Sequence, residues 1–190
     1  MWTRIVARGR RLSPVVLAPV LAACLTACMS IPYDDGPVRP PVPYAHMNDG
    51  NGAVLEYPPT PMQCVPFARG LSGISLFGDA NTWWAQAEGR YQRANAPEIG
   101  AVLVLRGYND ASRGHVAVVR AIVSSRELRV DQANWMNQGE ITRNVPVLDV
   151  SPANDWSEIR MWWIPTGDWG ARVYQAEGFI LPRPAYPAIS

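Results

Sequence analysis

Cys64 is the residue in this sequence with the clearest potential for nucleophilic chemistry. It begins residues 64–69, CVPFAR, a segment typical of a helix start because proline is well tolerated in the first turn. At that position the free backbone N–H groups and the helix dipole favour the thiolate, so we expect a pKa below the value of about 8.5 of a free thiol. The alternative is a small, buried, unreactive side chain, the usual situation of a free cysteine.

A nucleophilic thiol needs a general base, and His115 is the histidine best placed to serve. It follows Gly114 and begins the apolar run HVAVVRAIV, which predicts a strand with His115 at its edge. The other histidine, His46, lies in a proline-rich segment and is expected to be solvated. A surface histidine beside a loop is the alternative interpretation of His115.

A third side chain could orient the imidazole, and residues 130–135, VDQANW, offer an acid and two amides on the next predicted strand. A carboxylate or an amide on the far ring nitrogen would complete a triad, and Asp131 is the acid available. Taken alone, Asp131 is more typical of a solvated or turn residue than of a catalytic one.

The surrounding elements predict an α+β domain. A helix is expected from Cys64, and a second short one over residues 80–87, capped by Asp79. Strands are expected at residues 100–106, 115–123, 127–134 and 159–165. Helices followed by short antiparallel strands are not a βαβ alternation. Residues 166–190 are expected to be a packed tail or a loop.

Composition excludes several functional classes. A chain of 190 residues with 48% apolar residues can bury one ordinary core, and it is too apolar to be mainly disordered. A net charge of +1 argues against a basic nucleic-acid-binding protein. Three cysteines and two histidines are too few for a closed zinc site once the N-terminal pair is set aside. We expect no metal and no cofactor.

Residues 1–27 are predicted to be a signal peptide. Four arginines precede an apolar run of about sixteen residues, whereas a membrane-spanning helix needs roughly 20. The run ends in Leu25-Thr26-Ala27-Cys28, which resembles a bacterial lipobox; residues 21–24, ending in Cys24, resemble one too. We prefer Cys28 as the lipidated residue. A buried or anchoring helix that is not removed is the alternative.

Residues 28–60 are rich in proline and are predicted to be a semi-extended spacer that holds a domain away from a membrane. Residues 61–165 would form that domain. With lipid on Cys28, the domain would be exported, anchored and facing the periplasm. Cys64 would then be an unpaired thiol in a compartment where thiols tend to oxidise.

Five blocks of residues 61–165 together resemble the CHAP family of cysteine- and histidine-dependent amidohydrolases or peptidases, within the papain-like superfamily. In chain order they are QCVPFAR from Gln63, GDA with Trp83-Trp84, PEIGAVLV from Pro97, GHVAVV from Gly114, and Asn134-Trp135. The resemblance implies a papain-like α+β fold, with the helix that carries Cys64 packed on a barrel-like antiparallel sheet that carries His115.

The resemblance also implies a reaction. Cys64 would be the nucleophile and His115 the general base, forming an acyl-enzyme. The Cys64 backbone N–H and a second donor, for which Gln63 is a candidate, would stabilise the oxyanion. The substrate would be peptidoglycan peptide, cut as an amidase or an endopeptidase, and the partners would be peptidoglycan and a membrane.

One position departs from the family pattern. The family often has Glu two residues before the Asn-Trp pair, and here that residue is Gln132. In an ideal strand Gln132 and Asn134 share one face and Asp131 points to the other. Either a bulge turns Asp131 towards His115, or Asn134 or Gln132 orients the ring as an amide. We favour Asp131 and then Asn134.

Two other functions fit the same sequence. The chain could be a non-catalytic binding or scaffold lipoprotein on this fold, with an unreactive Cys64. It could also be an amidase for a small-molecule substrate.

Overall fold

The computed structural model describes residues 47–48 and 50–185. The predicted signal peptide, residues 1–27 with Cys24, lies outside the described residues, as do Cys28, most of the predicted spacer and His46. No helix within the described part of the chain is long and apolar enough to span a membrane.

The described residues contain two short α-helices, one 3₁₀ turn and ten strands. The helices are α1 (Cys64–Ser72) and α2 (Trp83–Ala87), and the 3₁₀ turn Ala80–Thr82 directly precedes α2. The strands are β1 (Met47–Asn48), β2 (Val54–Glu56), β3 (Tyr91–Ala94), β4 (Val102–Arg106), β5 (Gly114–Ile122), β6 (Glu127–Ala133), β7 (Ile141–Asp149), β8 (Glu158–Trp163), β9 (Asp168–Trp169) and β10 (Tyr174–Pro184).

Six antiparallel strands close into a barrel. The hydrogen-bonded order runs β7-β6-β5-β4-β10-β8, and β8 also pairs with β7, which completes the ring. Closure removes the free sheet edges that these six strands would otherwise expose. The predicted barrel-like antiparallel sheet is therefore confirmed, although the fold is mostly β, with less helix than the predicted α+β arrangement suggests.

The barrel wall is buried on both faces where it supports the helices. One face of β4 and β5, with Leu103, Leu105 and Ala117, packs into the barrel interior. The other face, with Val104 and Val116, packs against α1 and α2. Burial on both faces explains why these two strands read as nearly continuous apolar runs.

The two helices lie close to their predicted positions. Helix α1 begins at Cys64 and ends at Ser72, and Gly73, whose φ of 74° lies in the left-handed region, caps it. The predicted cap at Asp79 is wrong in detail, because its side chain makes no capping hydrogen bond. The 3₁₀ turn approaches β5 closely: a Cβ on Gly114 would lie 2.7 Å from the backbone nitrogen of Asn81.

Two segments outside the predicted domain belong to the sheet. The prediction of a tail or loop after residue 165 is wrong for Tyr174–Pro184, which pairs with β4, β8 and β3. This strand contains glycine and proline and has register shifts, so its sequence lacks a regular alternation. The predicted spacer is also too long, because Val54–Glu56 pairs with β7.

We predict that a chain ending at residue 165 does not fold, whereas a chain ending at residue 185 does. The shorter chain lacks β10, so the barrel cannot close and residues 102–105 of β4 lose their partner strand. Circular dichroism and thermal unfolding of both chains measure the difference. A cooperative transition in the shorter chain would contradict this prediction.

Candidate active site

Cys64 occupies the first turn of α1 and lies against β5. Hydrogen bonds from the backbone of Cys64, Val65 and Val116 reach its thiol. Cys64 and Val65 supply amides that the helix itself leaves free, and Pro66 has no N–H to offer. Val116 directly follows His115 in β5, so the thiol is next to the strand that carries the imidazole.

Burial dominates the titration of this thiol. Desolvation raises the pKa of Cys64 above its ordinary value, and the backbone hydrogen bonds from Val116, Val65 and Cys64 itself only partly oppose it. The expectation of a lowered pKa is therefore wrong for the structure as it stands. The thiol is protonated at neutral pH until a base accepts its proton.

His115 lies in β5 opposite Leu105 of β4, and only 9% of its surface is exposed. Its Nε2 is 2.9 Å from Oε1 of Gln132. Because an amide oxygen only accepts, this contact assigns the imidazole proton to Nε2 and leaves Nδ1 unprotonated. The ring of Trp135 meets the imidazole edge to face, with centroids 4.8 Å apart.

Burial also controls the charge of His115. Desolvation lowers the pKa of His115 to about 4, and the hydrogen bond to Gln132 opposes this shift. The imidazole is neutral at pH 7. Cys64 and His115 are thus a neutral thiol and a neutral base, and not a preformed ion pair.

Asp131 does not reach His115, so our preferred orienting residue is wrong. Its side chain is buried on the opposite face of β6, where Oδ2 lies 3.0 Å from Nη1 of Arg120 and 3.6 Å from Nη1 of Arg143. The backbone N–H of Asn144 also donates to its Oδ1. The reason is the alternation of side chains along β6, which places Gln132 on the face of His115.

The bulge that Asp131 would have needed is on the neighbouring strand. The register of β6 against β7 shifts between Val130 and Gln132, and Asn144 in β7 has a φ of 55°. The shift lets the Asn144 amide reach Asp131 while β6 keeps its alternation. The carboxylate thereby holds Arg143, whose guanidinium lies over the Phe67 ring of α1 at 5.5 Å.

Asn134 contacts Gln63 and not the imidazole. Its Nδ2 donates to Oε1 of Gln63 at 2.8 Å, and its Oδ1 accepts from the backbone N–H of Gly139. Both ends of the amide are therefore used, which rules out our second choice for orienting His115. Because Oε1 of Gln63 accepts this bond, its Nε2 is the part of the amide that remains able to donate.

A compact loop after β6 fixes this arrangement. The fully buried carboxylate of Glu140 accepts from the backbone N–H groups of Met136 and Gln138, and the sequence analysis did not identify it. Two residues before α1, Met62 donates its N–H to the Gly139 oxygen at 2.9 Å. A Cβ on Gly139 would collide with Pro61, so glycine permits this contact.

A cleft of about 1020 Å³ contains the thiol and the imidazole. Cys64, Gln63, His115 and Asn134 line it, whereas Asp131 and Gln132 do not. The remaining lining residues are Val65, Gly78, Asp79, Ala80, Leu105, Arg106, Gly107, Tyr108, Ser112, Arg113, Gly114, Trp135, Met136, Asn137, Trp163, Arg172 and Tyr174. Among the described residues, no group of three or more His, Cys, Asp or Glu side chains is placed to hold a metal ion.

Comparison with protein families adds an independent observation. Residues 55–134 match the family model of the CHAP domain. The chain contains a CHAP domain. The match extends from β2 to the end of β6 and includes Cys64, His115, Gln132 and Asn134.

CHAP domains are in general cysteine- and histidine-dependent amidohydrolases or peptidases that act on peptidoglycan. Neither the comparison with curated proteins nor that with solved structures gave a match to this chain. The CHAP match and the geometry of the cleft are therefore the two observations that bear on function.

We predict that the rate of alkylation of Cys64 by iodoacetamide rises with pH and is still rising above pH 8.5. A thiol whose pKa is raised by burial gains thiolate only above the pKa of about 8.5 of a free thiol. The rate is measured by mass spectrometry on the native chain and, as a control, on the unfolded chain. A plateau below pH 7 would show a preformed thiolate and contradict this prediction.

Proposed function

We propose that this chain hydrolyses amide bonds in the peptides of peptidoglycan, with Cys64 as nucleophile and His115 as general base. One observation carries the proposal: Cys64 and His115 line the same cleft, and the thiol of Cys64 lies beside β5, the strand that carries His115. The buried imidazole has its proton on Nε2, which donates to Gln132. This leaves Nδ1 as the basic nitrogen. The CHAP match supports the choice of reaction and substrate class.

In the acylation step, Nδ1 of His115 takes the proton of the Cys64 thiol as the sulfur attacks the amide carbon. The C=O π electrons move to oxygen and give a tetrahedral oxyanion. The N–H groups at the start of α1 and Nε2 of Gln63 are the donors available to stabilise it. The imidazolium then protonates the leaving amine, the C–N bond breaks, and a thioester remains.

In the deacylation step, water attacks the thioester carbon while Nδ1 of His115 takes one of its protons. The second tetrahedral intermediate releases the carboxylic acid, and the proton returns to the sulfur of Cys64. Substrate binding matters for both steps, because the resting pair is neutral. Negative charge develops on the oxygen of a bound substrate, where the oxyanion donors stabilise it.

We predict that Cys64→Ala and His115→Ala each abolish turnover, and that Gln132→Ala lowers kcat by about 10- to 1000-fold. Without the Gln132 oxygen the imidazole can adopt the other tautomer and loses its orientation, and general-base catalysis contributes about 10²–10⁴-fold. Muropeptides released from sacculi are measured by mass spectrometry. Gln132→Glu is expected to keep activity, since a carboxylate also accepts from Nε2.

Asp131→Asn is the matched control for Gln132→Ala, because both residues are buried neighbours on β6. We expect Asp131→Asn to keep kcat within a few-fold and to lower the free energy of unfolding by about 1–3 kcal/mol, since two arginines lose a charged partner. Wild-type turnover by His115→Ala would refute the mechanism. Turnover of small amides but not sacculi would favour the small-molecule amidase, and turnover of neither would favour a non-catalytic scaffold.

The proposed setting is the periplasmic face of a membrane, with lipid on Cys28. The support is the sequence of residues 1–28, with its basic start, short apolar run and lipobox-like end. The proline-rich residues that follow Cys28 would act as an extended spacer that lets the catalytic domain contact peptidoglycan at a distance from the membrane.

We predict that a chain with both Cys24→Ala and Cys28→Ala is lost from the membrane fraction, since no acyl chain can then be attached. Metabolic labelling with a radioactive fatty acid, followed by fractionation, measures both attachment and location. Cys24→Ala alone is the control and is expected to keep the label. Full membrane association of the double variant would contradict a lipid anchor.

A further inference from the structure

We propose that Arg172, at the end of a row of aromatic rings, and Arg113, which lines the same cleft, form a carboxylate-binding subsite. This subsite would select acidic peptides whose carboxylate is free over those in which it is amidated. The proposal deepens the proposed function and rests on it for the identity of the peptide.

The aromatic row begins at the imidazole. The ring of Trp135 lies against His115 with centroids 4.8 Å apart, and Tyr174 lies 4.9 Å from Trp135. Tyr108 follows at 5.6 Å from Tyr174. The four rings line one cleft, so a peptide bound at His115 can continue along them.

Arg172 ends the row. Its guanidinium carbon lies 4.7 Å above the centre of the Tyr108 ring, and the side chain is exposed to the cleft. No carboxylate within the described residues lies in a salt bridge with it. Arg106, a neighbour in the same cleft, is different, because Glu177 binds it at 2.9 and 3.0 Å. Stacking on Tyr108 restrains the guanidinium of Arg172 and leaves its N–H edge able to donate.

Arg113 adds a second positive charge on the same loop as Tyr108. Its Nη2 donates to Oδ1 of Asn137 at 3.4 Å, a long contact with a neutral partner. The nearby Asp110 forms no salt bridge with it: its Oδ1 accepts from the hydroxyl and the N–H of Ser112, and these bonds, together with the charge of Arg113, lower the pKa of Asp110. Arg113 therefore also has no carboxylate within salt-bridge distance in the described chain.

The balance of charge in the cleft favours an anion. Three arginines and one acid, Asp79, line it, and Glu177 compensates only Arg106. A guanidinium can bind a carboxylate through two parallel N–H donors, which an uncharged carboxamide does not match. Aromatic rings beside it offer apolar surface to the intervening part of a peptide.

The test measures binding separately from cleavage. The full chain carrying Cys64→Ala, in detergent solution, is titrated calorimetrically with a disaccharide-peptide fragment of peptidoglycan whose carboxylates are free. The same fragment with its side carboxylates amidated is the comparison ligand. We expect the free acid to bind about 10- to 100-fold more tightly, and added salt to reduce the difference.

Arg172→Gln is the decisive variant, because it removes the charge and keeps a polar side chain. It should abolish the preference for the free acid while leaving binding of the amidated fragment within about two-fold, and Arg113→Gln should reduce the preference. The matched control is Arg93→Gln, which removes an arginine that lies over Trp84 at 4.9 Å but does not line the cleft. It should leave the preference unchanged.

The outcomes separate this proposal from the proposed function. Equal binding of both fragments, no binding of either, or an unchanged preference in Arg172→Gln overturns the subsite. If the free acid is preferred through Arg172 but the unsubstituted chain cleaves neither fragment, the subsite stands and the hydrolase proposal fails. If the unsubstituted chain cleaves both fragments but shows no preference for the free acid, the hydrolase proposal stands and the subsite fails.

Discussion

In the pairing of β5 with β6, Val118 lies opposite Asp131 and Val119 opposite Val130. Side chains alternate along both strands, so this register sends Gln132 to the face of His115 and Asp131 to the face beneath α1. A slip of one residue would exchange the two. The arrangement of the cleft therefore depends on a strand pairing in which no cleft residue takes part.

Burial of both barrel faces determines the chemistry that this register permits. The thiol packs beside the apolar layer under the helices, and the imidazole lies at the end of the barrel interior. In such surroundings the charged forms of both groups are disfavoured, which is why the pKa of Cys64 is raised and that of His115 is lowered to about 4. The neutral amide of Gln132 fits this environment, since a carboxylate there would be a buried charge.

The sequence allowed prediction of the parts of the fold that depend on local pattern. Pro66 after Cys64 predicts the helix start, and the apolar run after His115 predicts the strand and its place in an antiparallel barrel. The third side chain is predicted wrongly if a carboxylate is preferred on chemical grounds, because the alternation of side chains along β6 favours the amide of Gln132. Strand pairings between segments that are far apart in the sequence are harder to predict from local pattern. Strand β10 contains Gly178 with a φ of 128°, and β7 contains Pro146 beside the bulge at Asn144, so neither has a regular period.

The reactive groups come from one segment of the chain, whereas only some of the groups proposed to bind substrate, among them Tyr108 and Arg113, come from that segment. Cys64, His115 and Gln132 all lie within residues 55–134, the segment that matches the CHAP model. Arg172 and Tyr174 lie beyond it, and β10 brings Tyr174 to the cleft by pairing with β8 and β4. The same strand that closes the barrel thus carries one ring of the aromatic row, Tyr174. Because β10 is needed for closure, its position is fixed by the core, while the exposed Arg172 just before it can vary without disturbing the thiol and the imidazole.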